Sequence, residues 1–207
     1  NTFDRFNGRH QDYQAARPSY AQEFLDWLGE LYAPPERYTA ADIGSGTGKL
    51  SAQLLAAGFR VCGVEPNPDM RGAAEALLGG DPRFSSSNGT DHDTGLPDRS
   101  VDMVAAAQAF HWFDGPAFAR ECRRILRPGG RAVLVWNVRG SAPMNQALAQ
   151  VFREHCPSFH GFTGGMGEDD PRIRDFFGGA YEKRRFPNPL TLDRDQFLRR
   201  CFSSSYA

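Results

Sequence analysis

The chain has 207 residues, enough for one domain with a single sizeable core. Its 24 basic and 25 acidic side chains leave a formal net charge of −1, so no overall electric field would attract nucleic acid or an anionic membrane. There is no apolar run of the roughly 20 residues that a membrane span needs, and no signal peptide at the start, so we expect a cytoplasmic protein whose partner is a small molecule.

Short apolar runs alternate with helical patterns from residue 38 onward, which is typical of strand–helix units around a mostly parallel sheet. Ahead of them, a polar and aromatic stretch at 3–18 leads into a helical segment at 20–31, and residues 1–37 form a cap segment. We expect a single α/β domain, a three-layer sandwich with helices on both faces of the sheet. Strands are predicted at 40–43, 60–64, 83–87, 101–107 and 131–136.

Helix boundaries in the core, residues 38–137, have their own signals. Apolar residues at helical spacing predict a helix between the first two strands, and Gly58 is suited to follow its end. Asn67 is suited to cap the next helix, because its side chain can accept from the first unpaired amides. A third helix is predicted at 117–126, with a turn at 129–130 into the fifth strand.

The C-terminal part, residues 138–207, has a weaker pattern. It is expected to complete the sheet and to supply a lid over the substrate. The predicted elements are a helix at 143–156, a glycine-rich loop at 159–167, a sixth strand at 181–186 and a helix at 193–202.

The strongest functional signal is the run from Ala41 to Gly48, which follows a strand and opens a helix. Its glycines, Gly44, Gly46 and Gly48, let the backbone approach a ligand, and the helix presents unpaired amides. Glu65 ends the second strand about 20 residues later, where a carboxylate can hold both hydroxyls of a ribose. An adenosine-containing ligand is the natural interpretation, and a tight turn with a solvated glutamate is the alternative.

The same loop distinguishes between adenosine ligands. Lys49 stands where a dinucleotide-binding loop has its third glycine, which disfavours the helix packing of a nicotinamide enzyme. Asp42 stands just before the glycines, where its carboxylate would repel a pyrophosphate but suit a ligand with an ammonium and a sulfonium. The charge pattern therefore favours S-adenosyl-L-methionine.

Several segments together resemble the class I, Rossmann-like S-adenosylmethionine-dependent methyltransferases. They are 42–48, 65–66, 89–102, 108–114 and 127–130, and the similarity extends over 3–202. The run at 108–113 resembles the small-molecule branch that includes the trans-aconitate methyltransferases and their relatives. The opening, with Tyr13, Arg17 and Tyr20, is similar to a segment that covers the cofactor in these enzymes.

The resemblance implies a role for each matching position. Glu65 would bind the ribose, while Asp42 and the loop from Gly44 through Ser45 and Gly46 to Gly48 would hold the methionine part. The other positions expected around the cofactor are Tyr13, Arg17, Pro66, Asn67, Met70, Thr90, Asp91, His92 and Gln108. The chain departs from the family at Asp91 and His92, where relatives usually show a small residue followed by glutamate; an acidic Asp91 could replace that contact to the adenine amine.

His111 lies past the fourth strand between Phe110 and Trp112, and it is the candidate catalytic residue. A histidine there could accept a proton from the acceptor, or it could orient the acceptor by a hydrogen bond. With Trp112 and Phe113 it would line the acceptor pocket. No metal site is predicted, because the four cysteines are far apart without zinc-like spacing.

Three functions remain open from the sequence. The first is methyl transfer to a small acceptor, with a carboxylate favoured by the resemblance alone. The others are a non-catalytic S-adenosylmethionine-binding module and a nicotinamide-dependent oxidoreductase. Class I methyltransferases also close their sheet with a final antiparallel strand, for which no candidate follows residue 186, so we expect a further segment after Ala207.

Overall fold

A computed structural model describes residues 18–140, 142–162 and 166–202. Its centre is a five-stranded sheet in the order β3-β2-β1-β4-β5, with every neighbouring pair parallel. The α/β sandwich predicted from the sequence is confirmed. The strands are β1 Thr39–Ile43, β2 Arg60–Val64, β3 Phe84–Ser87, β4 Val101–Ala107 and β5 Leu126–Val135.

The described residues form seven α-helices and two short 3-10 turns, the latter at Pro35–Arg37 and Phe110–Trp112. None of these helices is long and apolar enough to cross a membrane. The helices are α1 Gln22–Leu31, α2 Lys49–Ala56, α3 Pro68–Leu78, α4 Gly115–Ile125, α5 Pro143–His155, α6 Pro171–Phe177 and α7 Arg194–Phe202.

The sheet buries a hydrophobic layer on each face because successive strand residues point to opposite sides. On β4, Val104 and Ala106 pack into the cluster that contains the buried residues of α4 and α6. Met103 and Ala105 pack into the cluster that contains those of α1 and α2. The strands β1, β2 and β4 are therefore mostly apolar, whereas β3, which has no buried residue, is one phenylalanine followed by three serines.

The strand order reverses between β1 and β4. The chain moves outward from β1 to β3 and then returns to place β4 beside β1. At such a switch point the loops that follow neighbouring strands separate and leave a crevice at the carboxyl edge of the sheet. The segments after β1, β2, β3 and β4, which contain most of the predicted site residues, all begin at this edge.

Strand β5 begins earlier than predicted. Leu126 pairs with Val101, whereas Arg131 pairs with Met103, so the ladder skips the residues between them. A bulge of this kind adds unpaired residues to one strand without ending it. The predicted turn at 129–130 lies within this irregular stretch.

The predicted sixth strand at 181–186 is wrong. Residues 182–185 are consecutive charged, exposed side chains, and Lys183 and Arg185 pair with Glu168. Four charges in a row cannot alternate between a buried and a solvated face, so this segment cannot form an interior strand. Only Phe186 is half-buried, where it packs on Phe24 and Trp27.

Within the described residues, β5 pairs with β4 alone. The strand expected from beyond Ala207 stays a prediction. Helix α6 was not predicted, although Asp170 caps it by accepting from the Arg172 amide and the left-handed Gly178 follows its end. A small third cluster joins α5 to α7 through Phe152, Phe159 and Cys201.

Candidate active site

The loop after β1 packs directly against the segment after β4. Gly44 has a φ of 68° and donates its amide to the Val64 carbonyl at 2.9 Å. A Cβ at this position would lie 2.8 Å from Ala109 Cβ and 3.2 Å from a ring carbon of Phe113. Only glycine fits here, because both the backbone conformation and the space exclude a side chain. The structure therefore brings the predicted cofactor loop and the predicted acceptor segment together.

Glu65 links this loop to the start of α3. The side chain is 8% exposed, and its two oxygens accept from the amides of Gly46 and Asn67, both at 2.9 Å. Burial raises the pKa of Glu65, while the two amides and the nearby Arg71 lower it in part. Asn67 in turn accepts from the amides of Asp69 and Met70, which confirms the predicted cap. A carboxylate has about four acceptor sites, so Glu65 can hold the loop and still accept from a ligand.

Asp42 and Thr47 are buried polar residues with unused hydrogen-bonding atoms. Asp42 is 1% exposed, and one of its oxygens accepts from the Ser51 hydroxyl at 2.8 Å. Its other oxygen, Oδ1, and the hydroxyl of Thr47 have no hydrogen-bond partner among the described residues. Burial, followed by the negative charge of Glu65, raises the pKa of Asp42 to about 6. Such groups are uncommon in a folded interior and mark places where a polar ligand group would be stabilised.

Asp91 links the loop after β3 to the beginning of α4. One carboxylate oxygen accepts from the Asp114 amide at 3.1 Å, and the other lies 3.1 Å from His92 Nδ1. Thr90 and Asp93 close the turn that contains them, through a hydrogen bond from each amide. The side chain of His92 is 58% exposed and faces solvent. Thr90, Asp91 and His92 therefore lie on one ordered turn.

The segment after β4 starts with a strained residue and continues as a short 3-10 turn. Gln108 has a φ of 56°, which is uncommon outside glycine, and its side chain donates to the Asn137 carbonyl at 3.3 Å. His111 is half-buried, and its ring centroid lies 4.8 Å from that of Trp112. Phe113 contacts the Gly44 position and packs edge-on against Phe118.

Sequence reasoning missed two candidate site residues. Thr47 lies inside the glycine loop. A hydroxyl between two glycines of a predicted cofactor loop was a signal that could have made it a candidate cofactor-binding residue. Trp136 is the first residue after β5, at the same edge as the other site loops. Its ring packs edge-on against Phe110, and its indole Nε1 is buried without a hydrogen-bond partner in the described part of the chain. Tyr13 and Arg17 lie outside the described residues.

An open cavity of about 340 Å³ lies along α5, in the part of the chain that follows β5. Its volume is within the usual range for small-molecule sites. The Arg139 guanidinium lies 4.1 Å from the centroid of the Phe162 ring. The cavity is lined by Gly140, Asn145, Gln146, Ala149, Arg153 and Phe162, so its charged lining residue is a cation.

Residues 41–134 match the family of methyltransferase domains. The chain is 31% identical to a protein of Anaeromyxobacter dehalogenans whose solved structure is described as a candidate type II methyltransferase. The two folds superpose with a TM-score of 0.61 over 92% of this chain and 79% of the other. The chain belongs to the class I methyltransferase family.

Two curated relatives are also named methyltransferases. The chain is 42% identical over 127 residues to an uncharacterized methyltransferase of Mycobacterium tuberculosis, covering 61% of this chain and 49% of that protein. It is 31% identical over 147 residues to an uncharacterized methyltransferase of Schizosaccharomyces pombe, covering 70% of this chain and 57% of that protein. The chain thus spans only about half the length of the curated relatives it matches.

Class I methyltransferases take their methyl group from S-adenosylmethionine, and the site fits this cofactor. The unpartnered Oδ1 of Asp42 offers an acceptor of negative charge to an ammonium. The absence of a side chain at Gly44 lets the cofactor loop pack directly against Ala109 and Phe113 at the switch point. The family assignment and the charge of the site agree in disfavouring a nicotinamide dinucleotide.

Proposed function

We propose that this domain transfers the methyl group of S-adenosylmethionine to a small-molecule acceptor, with a carboxylate oxygen as the favoured nucleophile. The observation that supports it best is the buried, unpartnered Asp42 Oδ1 beside the glycine loop, which suits a cationic cofactor rather than a phosphate.

Each part of the cofactor has candidate partners in the described site. Asp42 and the glycine loop, with Ser45, hold the methionine part, and Glu65 accepts from the ribose hydroxyls. Pro66, Asn67 and Met70 flank the adenine, and the methyl carbon of Met70 lies within 3.6 Å of a Cβ built at Gly46. Thr90, Asp91 and His92 lie at the adenine edge. Gln108 lies near the end of the cofactor that carries the reacting methyl group. Tyr13 and Arg17 are proposed to cover the cofactor.

The acceptor is proposed to lie between the segment at 109–113 and the cavity beyond β5. The cavity's charged lining residue is Arg153, which favours an anionic acceptor. Gln108 connects the two regions through its hydrogen bond to Asn137, three residues before Gly140. Three residues of chain span at most about 11 Å, so Asn137 lies within that distance of Gly140 at the cavity.

In methyl transfer from a sulfonium, the main role of the protein is to align the reactants and to enclose them. When bound, the cofactor supplies an electrophilic methyl group whose leaving group departs uncharged. The protein holds nucleophile, methyl carbon and sulfur in line and excludes water, and Phe113 and Trp112 are suited to the second task. A carboxylate is already ionised at neutral pH, so His111 would orient it rather than remove a proton. For an alcohol or amine acceptor His111 would act as the base.

Two measurements test this function. Calorimetric titration should show binding of S-adenosylhomocysteine and none of NAD, and the reverse result would contradict the proposal. Turnover is then measured on matched acceptors, each carboxylic acid paired with its primary amide and its alcohol. Methylation of the acids alone supports the carboxylate assignment. Binding of S-adenosylhomocysteine with no turnover on any acceptor would favour a non-catalytic binding module.

A further inference from the structure

The turn that contains Thr90, Asp91 and His92 is held in place by a buried glutamate on a helix. Glu121 lies on α4 and is 6% exposed, and its Oε1 accepts from the Thr94 amide at 2.9 Å and from the Thr94 hydroxyl at 2.6 Å. Thr94 has no exposed surface. The two residues are 27 positions apart, so this is a tertiary link between the loop and α4.

Thr94 is also the point at which the two ends of this loop meet. We define the adenine loop as residues 88–96. The Thr94 carbonyl accepts from the Ser87 hydroxyl at 2.8 Å, and the Thr94 hydroxyl accepts from the Leu96 amide at 3.2 Å. A Cβ at Gly89 would lie 2.5 Å from the Thr94 carbonyl oxygen, so the incoming and outgoing backbones are in close contact. A displacement of Thr94 would therefore move the whole adenine loop.

Glu121 has an ion-pair partner as well as its bonds to Thr94. Arg124 donates to both of its oxygens, at 2.8 and 2.7 Å, and also to Asp98 at 2.7 Å. The Arg124 hydrogen bonds hold the pKa of Glu121 at about 2. A buried carboxylate is expensive unless it is paired and hydrogen-bonded, and this one has four such bonds. Its arrangement suits a structural anchor and not a proton acceptor.

We propose that Glu121 is a positioning residue, which fixes the adenine loop through Thr94 so that Thr90, Asp91 and His92 can recognise the adenine ring. This rests on the proposed function, because it takes these three residues as the adenine edge. The Asp91 contact to the Asp114 amide gives the loop a second attachment to the same helix. α4 follows the acceptor segment directly, so it sets the position of adenine loop and acceptor segment together.

The test compares two ligands that differ only at the adenine ring. Binding of S-adenosylhomocysteine and S-inosylhomocysteine is measured by calorimetry for the wild type, Glu121→Gln, Thr94→Val and Thr94→Ser. Glu121→Gln and Thr94→Val should weaken S-adenosylhomocysteine roughly tenfold and reduce the preference over the inosyl analogue, because a misplaced loop loses hydrogen bonds to the ring edge. Thr94→Ser retains the hydroxyl and should behave like the wild type.

A matched control separates positioning from general stability. Leu28→Ala destabilises the fold from α1, on the opposite face of the sheet, and should leave the preference between the two ligands unchanged. If Glu121→Gln and Thr94→Val lower the melting temperature but keep the wild-type preference, the proposal is overturned. If the wild type binds neither ligand, the proposed function itself fails.

Discussion

The sheet core, which includes α6, is more densely packed than the two other C-terminal helices, α5 and α7. Between Thr39 and Val135, apolar layers cover both faces of the sheet, and the site loops are fixed by buried hydrogen bonds. α5 buries only Phe152, and it leaves Met144 67% and Val151 49% exposed. α7 buries only Cys201.

This difference in packing coincides with the two roles in the proposed reaction, cofactor binding and acceptor binding. The family match covers 41–134, which is the sheet core with its cofactor loops. Residues 143–202, which form one side of the proposed acceptor region, lie beyond it. Segments with few buried contacts open at low free energy and tolerate change in sequence. We therefore call residues 39–135 the cofactor half, and we call α5 and α7 with their loops the proposed acceptor half. The helix between them, α6, packs into the sheet core.

Truncating one buried phenylalanine in each region should give the largest contrast. Phe118 has no exposed surface and stacks on Phe176 in the sheet core, so Phe118→Ala should cost about 3 to 5 kcal/mol of unfolding free energy. Phe152→Ala should leave the main unfolding transition within about 1 kcal/mol of wild type, because its cluster is small and separate. Denaturant unfolding measures the first quantity, and hydrogen exchange of α5 and α7 reports the local loss.

Equal losses of global unfolding free energy in Phe118→Ala and Phe152→Ala would contradict the difference between the two regions. That result would mean that α5 and α7 unfold together with the sheet. Phe152→Leu, which keeps most of the apolar volume, serves as the control and should retain protection in both helices.

Removing the carboxylate that joins the loop to α3 should have the next largest effect. Glu65→Ala should weaken binding of S-adenosylhomocysteine by about 2 to 3 kcal/mol, because the loop amide of Gly46 and the ribose hydroxyls lose their acceptor together. Glu65→Gln should be intermediate, since one oxygen becomes an N–H group that faces a backbone amide. Unchanged affinity of Glu65→Ala by calorimetry would remove this residue from the site.

The buried Asp42 predicts a pH dependence of cofactor binding. Since the pKa of Asp42 is raised to about 6, the ammonium of the cofactor meets a protonated carboxyl below that pH. Affinity for S-adenosylhomocysteine should therefore fall by up to about tenfold per pH unit below 6. Asp42→Asn should bind weakly at every pH and lack this slope. An identical slope in Asp42→Asn would assign the titration to another group.

The free energy of unfolding of the unliganded protein should depend on pH in the opposite direction to cofactor affinity. Between about pH 4 and pH 6 the folded state keeps the Asp42 proton that the unfolded chain has lost. Unfolding free energy should fall as the pH rises through this range, and the fall should be smaller in Asp42→Asn. The residue thus destabilises the free protein under the conditions in which it favours the cofactor.

Much of the cofactor half could be predicted from sequence because its signals are local. β1, β2 and β4 are short, mostly apolar runs between turn residues, and parallel strands bring the loops that follow them to one edge. Asp42 and Glu65 could therefore be assigned to one crevice before their contacts were known. The cap formed by Asn67 was equally local, since its partners are two and three residues away.

The remaining features depend on contacts between distant residues. The start of β5 at Leu126 depends on its pairing with Val101 across a bulge, and the link between Thr94 and Glu121 joins a loop to a helix. The weak local pattern predicts a strand at 181–186, but Lys183 and Arg185 form ion pairs with Glu168 and Asp169 instead. In the acceptor half, weak local patterns and few buried contacts go together.

The smallest effect on the fold should come from Trp136, at the boundary between the two halves. Its indole N–H is buried without a partner among the described residues, while its ring packs on Phe110. Trp136→Phe keeps an aromatic ring but removes the unpartnered donor and part of the ring. The first change is favourable and the second costs packing, so unfolding free energy should stay within about 1 kcal/mol of wild type. Affinity for S-adenosylhomocysteine should stay within about twofold of wild type, because Trp136 lies outside the cofactor loops.

Acceptor kinetics test whether this N–H has a functional role. If the N–H donates to the acceptor, the KM for the acceptor should rise in Trp136→Phe while the KM for the cofactor does not. Trp27→Phe, on the opposite face beside Phe24 and Phe186, is the control and should lower stability without changing the acceptor KM. A loss of stability in Trp136→Phe together with an unchanged acceptor KM would show that this tryptophan serves the core alone.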